Sequence, residues 1–222
     1  MNYISLEDFA RYASRKDIQA TIRRVKISEE GTYDEFIEQL YDDIDQVIYR
    51  MQAGPELRQD DSEDRLSAEI IDGLSYHGYT AVADGKTGGH VDISVKMGDF
   101  SWIGEAKKDG NFHEGLLQLT TRYVPASGNY SHNHGGLIFY LVKIQNARGK
   151  LDTWRDELTS MGHTCVDCKR NALAFYSDHK FESSGTTFIV RTMGVAMHHQ
   201  PKDKSARISA AKKQTKKAAE KT

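Results

Sequence analysis

The sequence predicts an α/β protein, a mixed sheet flanked by helices, and three observations carry that expectation. Apolar residues recur at helical spacing through the first third of the chain, and the period then switches to two at Tyr79. Further on, Leu137–Val142 is apolar without a break, as in a strand covered on both faces. The 222 residues suffice for one substantial core.

Residues 5–52 carry the helical period. Thr32-Tyr33-Asp34-Glu35 has the form of a capping box, in which Thr32 and Glu35 satisfy each other's exposed backbone donors. Behind it Phe36, Ile37, Leu40, Tyr41, Ile44, Val47, Ile48 and Met51 line one face, and Gly54-Pro55 ends the helix. After an acidic stretch from Gln59 to Asp64, Leu66, Ile70, Leu74 and His77 form a second stripe with Glu69 at its edge. Gly78 stands where a C-terminal cap belongs.

Tyr79–Asp84 reads as a short strand and Gly85–Gly89 as a turn. His90–Lys96 alternates, with Val91, Ile93 and Val95 on one face and Asp92, Ser94 and Lys96 on the other. Met97-Gly98-Asp99 turns the chain back into Phe100–Lys107. There Phe100, Trp102, Gly104 and Ala106 share one face, and Ile103, Glu105 and Lys107 the other. A helix is expected from Asn111, capped by Asn111 with Glu114 three residues on, to about Val124. Beyond Leu137–Val142, the residues Leu151, Trp154, Leu158 and Met161 mark another helix ending at Gly162. Strand-like runs at His163–Val166, Ala172–Ser177 and Thr186–Met197 close the domain.

The formal net charge of −2 is a cancellation. From Glu29 to Asp72 there are 15 acids against Arg50, Arg58 and Arg65, whereas residues 202–222 hold eight basic side chains and two acids. That Lys/Ala/Ser/Thr tail has too few apolar side chains to offset its ordering entropy and is expected to be disordered. Lys212, Lys213, Lys216 and Lys217 would make it a phosphate-attracting arm; a solubilising tail is the plainer reading. No apolar run reaches the roughly 18 residues a membrane span needs. Met1–Asp8 lacks a basic patch before an apolar run, and two cysteines cannot build a disulfide framework, so a cytoplasmic setting is the expectation.

The chemistry concentrates between Asp92 and Lys107. Period-two geometry puts Glu105 and Lys107 on one side of a strand, about 7 Å apart along it, and the hairpin lets Asp92 lie across from them. Two carboxylates and an ammonium at one spot suit a hard divalent cation such as Mg²⁺, with the lysine able to orient water and offset phosphoryl charge. Taken alone, Glu-Ala-Lys is weaker: such pairs are commonly solvated ion pairs worth less than about 1 kcal/mol.

The whole series of elements resembles the PD-(D/E)XK, or restriction endonuclease-like, nuclease superfamily. The resemblance covers about Asp61 to Val142 and rests on Val91-Asp92, twelve intervening residues, then Glu105-Ala106-Lys107. Val91 stands where the family usually has proline. The resemblance implies a core of a helix, a three-stranded meander, a second helix and a further strand. It implies that Asp92, Glu105 and the Ala106 carbonyl ligate Mg²⁺, with Mn²⁺ able to substitute, and that Lys107 is the catalytic lysine. Glu69 matches the acid that many members carry on the first helix, where it holds metal-bound water. Gln118 matches a glutamine on the second helix of several branches; the tyrosine often found four residues later is replaced by Arg122. Arg122 and Lys108 would contact phosphate.

The expected organisation is a helical N-terminal extension over 1–58, a nuclease-like domain over 59–200 and a basic tail over 201–222. The expected function is a Mg²⁺-dependent deoxyribonuclease, an effector in restriction or anti-phage defence, with DNA as its partner. The alternative is a non-catalytic nucleic-acid-binding or assembly subunit that keeps the fold, its acidic helical region docking a basic protein or another protomer. A homodimer or higher oligomer, which would cut both strands symmetrically, is the weaker expectation, because the apolar face of Tyr33–Met51 equally suits packing on the core. His132-Asn133-His134 lies in loop-like sequence and is not read as a metal-dependent nuclease element. Cys165-x-x-Cys168 lacks the second ligand pair that structural zinc needs. Gly85–Gly89 has no P-loop pattern.

Overall fold

Thr32 opens the longest helix as its sequence requires. Its hydroxyl accepts from the Glu35 amide at 3.3 Å, and the Glu35 carboxylate accepts from the Thr32 amide at 2.8 Å. This capping box separates α1 (Lys16–Glu30) from α2 (Tyr33–Gln52) in a computed structural model that describes residues 14–83, 91–123, 132–181, 184–201 and 203. The parts of the expected elements at 5–13, Asp84–His90 and Val124, and the tail lysines, lie outside the described residues. Three more α-helices follow among them: α3 (Glu63–Tyr76), α4 (Phe112–Gln118) and α5 (Ala147–Ser160). A 3₁₀ turn at Pro55–Arg58 leads to α3, whose N-cap Ser62 accepts from the Arg65 amide at 3.1 Å. Gly78 ends the segment with a φ of +91°, the left-handed stop that glycine permits.

Among the described residues the seven strands are β1 (Thr80–Val82), β2 (Ile93–Met97), β3 (Phe100–Lys108), β4 (His134–Leu141), β5 (Cys165–Asp167), β6 (Ala174–Lys180) and β7 (Thr187–Ala196). They form one mixed sheet in the order β1-β2-β3-β4-β7-β6-β5. β3, β4 and β7 are parallel neighbours at its centre, and the outer pairings are antiparallel. Gly98 at φ +57° makes the tight turn that brings Met97 opposite Phe100.

Helices cover both faces. Leu137, Phe139 and Leu141 of β4 pack with α4 and α5, while Ile138 and Tyr140 pack with α1–α3. Every one of these side chains is buried, as expected of an uninterrupted apolar strand. The α2 face from Phe36 to Met51 belongs to the same hydrophobic cluster as Trp102, Met193 and Met197, so a boundary at residue 58 passes through one core. The Tyr41 hydroxyl donates to the Gly135 carbonyl, and the buried Arg191 of β7 reaches Asp45 of α2 at 2.7 Å. No helix among the described residues is long and apolar enough to cross a membrane.

Three local expectations need correction. Asn111 does not cap α4: it is left-handed, with a φ of 58°, and its side chain makes no capping bond. Asp109 is left-handed too, and its Oδ1 accepts from the Val142 and Lys143 amides, so this turn is shaped to tie β3 to the end of β4. The extended backbone that a cap needs is absent. Met161 is 56% exposed and not part of the core. Strand alternation makes Cys165 a buried residue and puts Cys168 at a turn; in the structure Cys168 is buried beside Arg191 and Cys165 only partly so, and both are free thiols.

Candidate active site

The antiparallel register aligns Ile93 with Gly104, so Asp92, one residue earlier, comes level with Glu105. Asp92 Oδ2 accepts from the Ala106 amide at 2.8 Å, which locks the carboxylate onto the Glu-x-Lys segment. Glu105 and Lys107 point together toward α4, and the Lys107 ammonium donates to Glu105 Oε1. The same ammonium stands 3.7 Å from Glu63 Oε1 and 3.8 Å from Asp92 Oδ2. One cation is thus ringed by three carboxylates from α3, the β2 entrance and β3.

Glu105 is the anomalous member. Its side chain is only 2% exposed and its Oε2 is buried without a hydrogen-bond partner. Burial pushes its carboxyl up to about 7; Lys107 pulls it back and Asp92 adds to the rise. Burial works against the Lys107 ammonium, but Glu105, Asp92 and Glu63 together outweigh it and raise its pKa. The pair is therefore a buried, imperfectly satisfied contact, unlike the solvated surface pair that Glu-Ala-Lys alone suggests.

Glycine at position 115 lets α4 approach. A Cβ there would lie 3.1 Å from Lys107 Cγ and 3.7 Å from both Glu105 Cγ and Leu137 Cδ2. Gln118, one helical turn on, has its Oε1 buried without a partner. Neither Gly115 nor Glu63 figures among the site residues expected from sequence. The available signal for Glu63 was its place directly after the N-cap Ser62, where an acid meets the end of β3.

The other expected residues are placed as follows. Glu69 is engaged by Arg58, whose Nε donates to Oε2 at 2.8 Å; the α3 acid that reaches Lys107 is Glu63. Glu63 Oε2 also accepts from the Lys108 amide at 2.6 Å. Ala106 lies on the face toward α1–α3, in register with Ile138. The Lys108 ammonium donates to the Asp61 carbonyl. The Arg122 side chain and Lys212, Lys213, Lys216 and Lys217 lie outside the described residues. His132 bonds Ser101 at 2.6 Å and His134 bonds Asn133 at 2.8 Å, at the N-terminal ends of the central strands β3 and β4.

The donor set is hard oxygen, carboxylate and carbonyl, and it matches the ligand chemistry of Mg²⁺ or Mn²⁺. Orphaned Glu105 Oε2 is an acceptor that a cation would satisfy. Even so, among the described residues no group of three or more His, Cys, Asp and Glu side chains is arranged to hold a metal ion. Neither family models, nor curated proteins, nor solved structures match this chain.

Proposed function

We propose that the chain is a metal-dependent nuclease of the PD-(D/E)XK type that hydrolyses phosphodiester bonds of DNA. The observation that carries the reading is the convergence of Asp92, Glu105 and Lys107, with a buried unpartnered oxygen on Glu105. The order α3-β1-β2-β3-α4-β4, with β3 and β4 parallel, supports it because the family resemblance implies that order. DNA as substrate rests on that resemblance.

In this reading Asp92, Glu105 and the Ala106 carbonyl hold the ion. Bound Mg²⁺ supplies Lewis-acid polarisation of the phosphoryl oxygens and a more acidic water. Lys107 offsets charge building on the phosphoryl oxygens and orients the attacking water. Glu63, fixed by the Lys108 amide, keeps the end of β3 and Lys107 in position. Gln118, one helical turn past Gly115, offers a buried acceptor oxygen without a partner.

The test is cleavage of plasmid, linear duplex and single-stranded DNA with Mg²⁺ or with EDTA. Wild type should cut with Mg²⁺ only, and Asp92→Ala and Lys107→Ala should lose at least a hundredfold. Undiminished cutting by both variants would remove the assignment. The second reading, a non-catalytic nucleic-acid-binding or assembly subunit, is favoured by one observation: Asp92, Glu105 and Glu63 already share a resident cation, the Lys107 ammonium. It predicts a thermal midpoint that Mg²⁺ and Mn²⁺ leave unmoved.

A further inference from the structure

Away from the carboxylate cluster, a cavity of about 730 Å³ opens between α1, the C-terminal half of α2 and the C-terminal end of α3. That is within the roughly 300–1,000 Å³ typical of small-molecule sites. Its cations are unequal in role. Arg24 is structural: its guanidinium binds Asp43 at 2.9 Å and Thr21 at 3.2 Å, and Asp43 also accepts from the Tyr79 hydroxyl at 2.8 Å. Arg24 is 8% exposed and its Nε is buried without a partner; His77 Nε2 is another buried polar atom on the same wall with none. Lys16 and Arg50 line the cavity and make no ion pair among the described residues. The one carboxylate on the wall among the described residues, Asp17, is taken by Arg15 at 2.6 Å. Ile18, Ala20 and the Tyr76 ring supply apolar surface, and Tyr76 is 90% exposed.

Two uncommitted cations and two orphaned polar nitrogens call for an anion with acceptor oxygens, since each buried unmet polar group costs about 1–3 kcal/mol. The apolar wall and the bare ring call for a flat group attached to it. We propose that this cavity is a binding site for a small organic phosphate carrying a flat apolar group, the chemistry of a nucleoside monophosphate. Lys16 and Arg50 meet the phosphate, the orphaned nitrogens donate to its inner edge or to the sugar, and Tyr76 covers the base. The site shares no residue with Asp92, Glu105 or Lys107 and does not depend on the nuclease reading.

The experiment is calorimetric titration of the full chain in EDTA with four nucleoside monophosphates, with adenosine and with inorganic phosphate. At least one monophosphate should bind tenfold or more tightly than adenosine and inorganic phosphate. The exposed double variant Lys16→Ala/Arg50→Ala should weaken it at least tenfold at an unchanged thermal midpoint. Tyr76→Ala should weaken the nucleotide and leave inorganic phosphate unaffected. Asp92→Asn should bind as wild type does, which separates this site from the carboxylate cluster. Absence of binding up to millimolar nucleotide overturns the proposal, as does affinity insensitive to the double variant or lost in Asp92→Asn. Inorganic phosphate binding as tightly as the nucleotide would also overturn it.

Discussion

Lys107 holds Glu105 from two residues along the same strand, and almost no water reaches the carboxylate it holds. Among the described residues that lysine is the close positive charge for a group that burial has already pushed up to about 7.

Removing the ammonium should therefore destabilise the chain in a pH-dependent way. With Lys107→Met, Glu105 is left buried and unpaired, a loss of about 2–3 kcal/mol at pH 8, where it must ionise or stay protonated against the solvent. Near pH 5, where Glu105 is neutral, the loss should shrink below about 1 kcal/mol. Urea unfolding of wild type and variant at the two pH values measures this; equal losses at both would contradict a buried, strongly shifted Glu105.

Acid and neutral limbs of the stability curve should have different owners. Burial holds His134 and His179 down to about 4 against 6.5 in the open chain, so the unfolded state takes up their protons first. Stability then falls as pH drops from 6.5 toward 4, by about 3 kcal/mol per histidine. Glu105 runs the other way: its native pKa of about 7 lies above the ordinary 4.5, so its contribution fades as pH rises through that window. His134→Gln with His179→Gln should flatten the acid limb, and Glu105→Gln the neutral one, in denaturation curves recorded from pH 4 to 8.

Gly115 should tolerate very little. Alanine adds a Cβ 3.1 Å from Lys107 Cγ, and the gain in helix propensity, about 1 kcal/mol, offsets much of that crowding. Valine adds two more methyls and should cost about 2 kcal/mol by lifting α4 from the strand. On the proposed nuclease reading Gly115→Val should therefore lose DNA cleavage beyond its loss of stability, and Gly115→Ala should stay near wild type in thermal midpoint. A fully active Gly115→Val would show that α4 does not set the lysine's position.

Asp45→Ala should be among the most damaging single changes outside the carboxylate cluster. It strands Arg191, which is fully buried and stacked 4.7 Å from the Tyr41 ring, without its carboxylate. A loss of about 3 kcal/mol is expected. Thermal unfolding should show one transition shifted down as a whole, because α2 and β7 share one core; an early separate transition for the N-terminal helices would refute that unity.

Much of the fold was legible because its signals are local. The capping box at Thr32, the two-residue turn at Gly98 and the apolar run in β4 each depend on a few neighbouring residues, and each forms where expected. The strand faces of Asp92, Glu105 and Lys107 follow from period two alone. What could not be read was whatever depends on how elements meet. Which acid of α3 reaches Lys107 is set by the docking of that helix against β3, and six residues separate Glu63 from Glu69. The left-handed turn at Asp109 and Asn111 answers to the amides of Val142 and Lys143, more than thirty residues away. Cys168 is buried because Arg191 arrives from β7, which no spacing around the cysteines announces.

The place of β7 has a consequence for how the chain is made. This strand sits inside the sheet, between β4 and β6, yet it is the last of the seven to leave the ribosome. Its Arg191 waits for Asp45, made 146 residues earlier. Until then the Phe36–Met51 face of α2 has no complete surface to cover it, and a nascent chain stopped before about Met197 lacks the middle of its sheet. Synthesis thus exposes an amphipathic helix early and closes the core late, so completing the fold depends on contacts of long sequence separation.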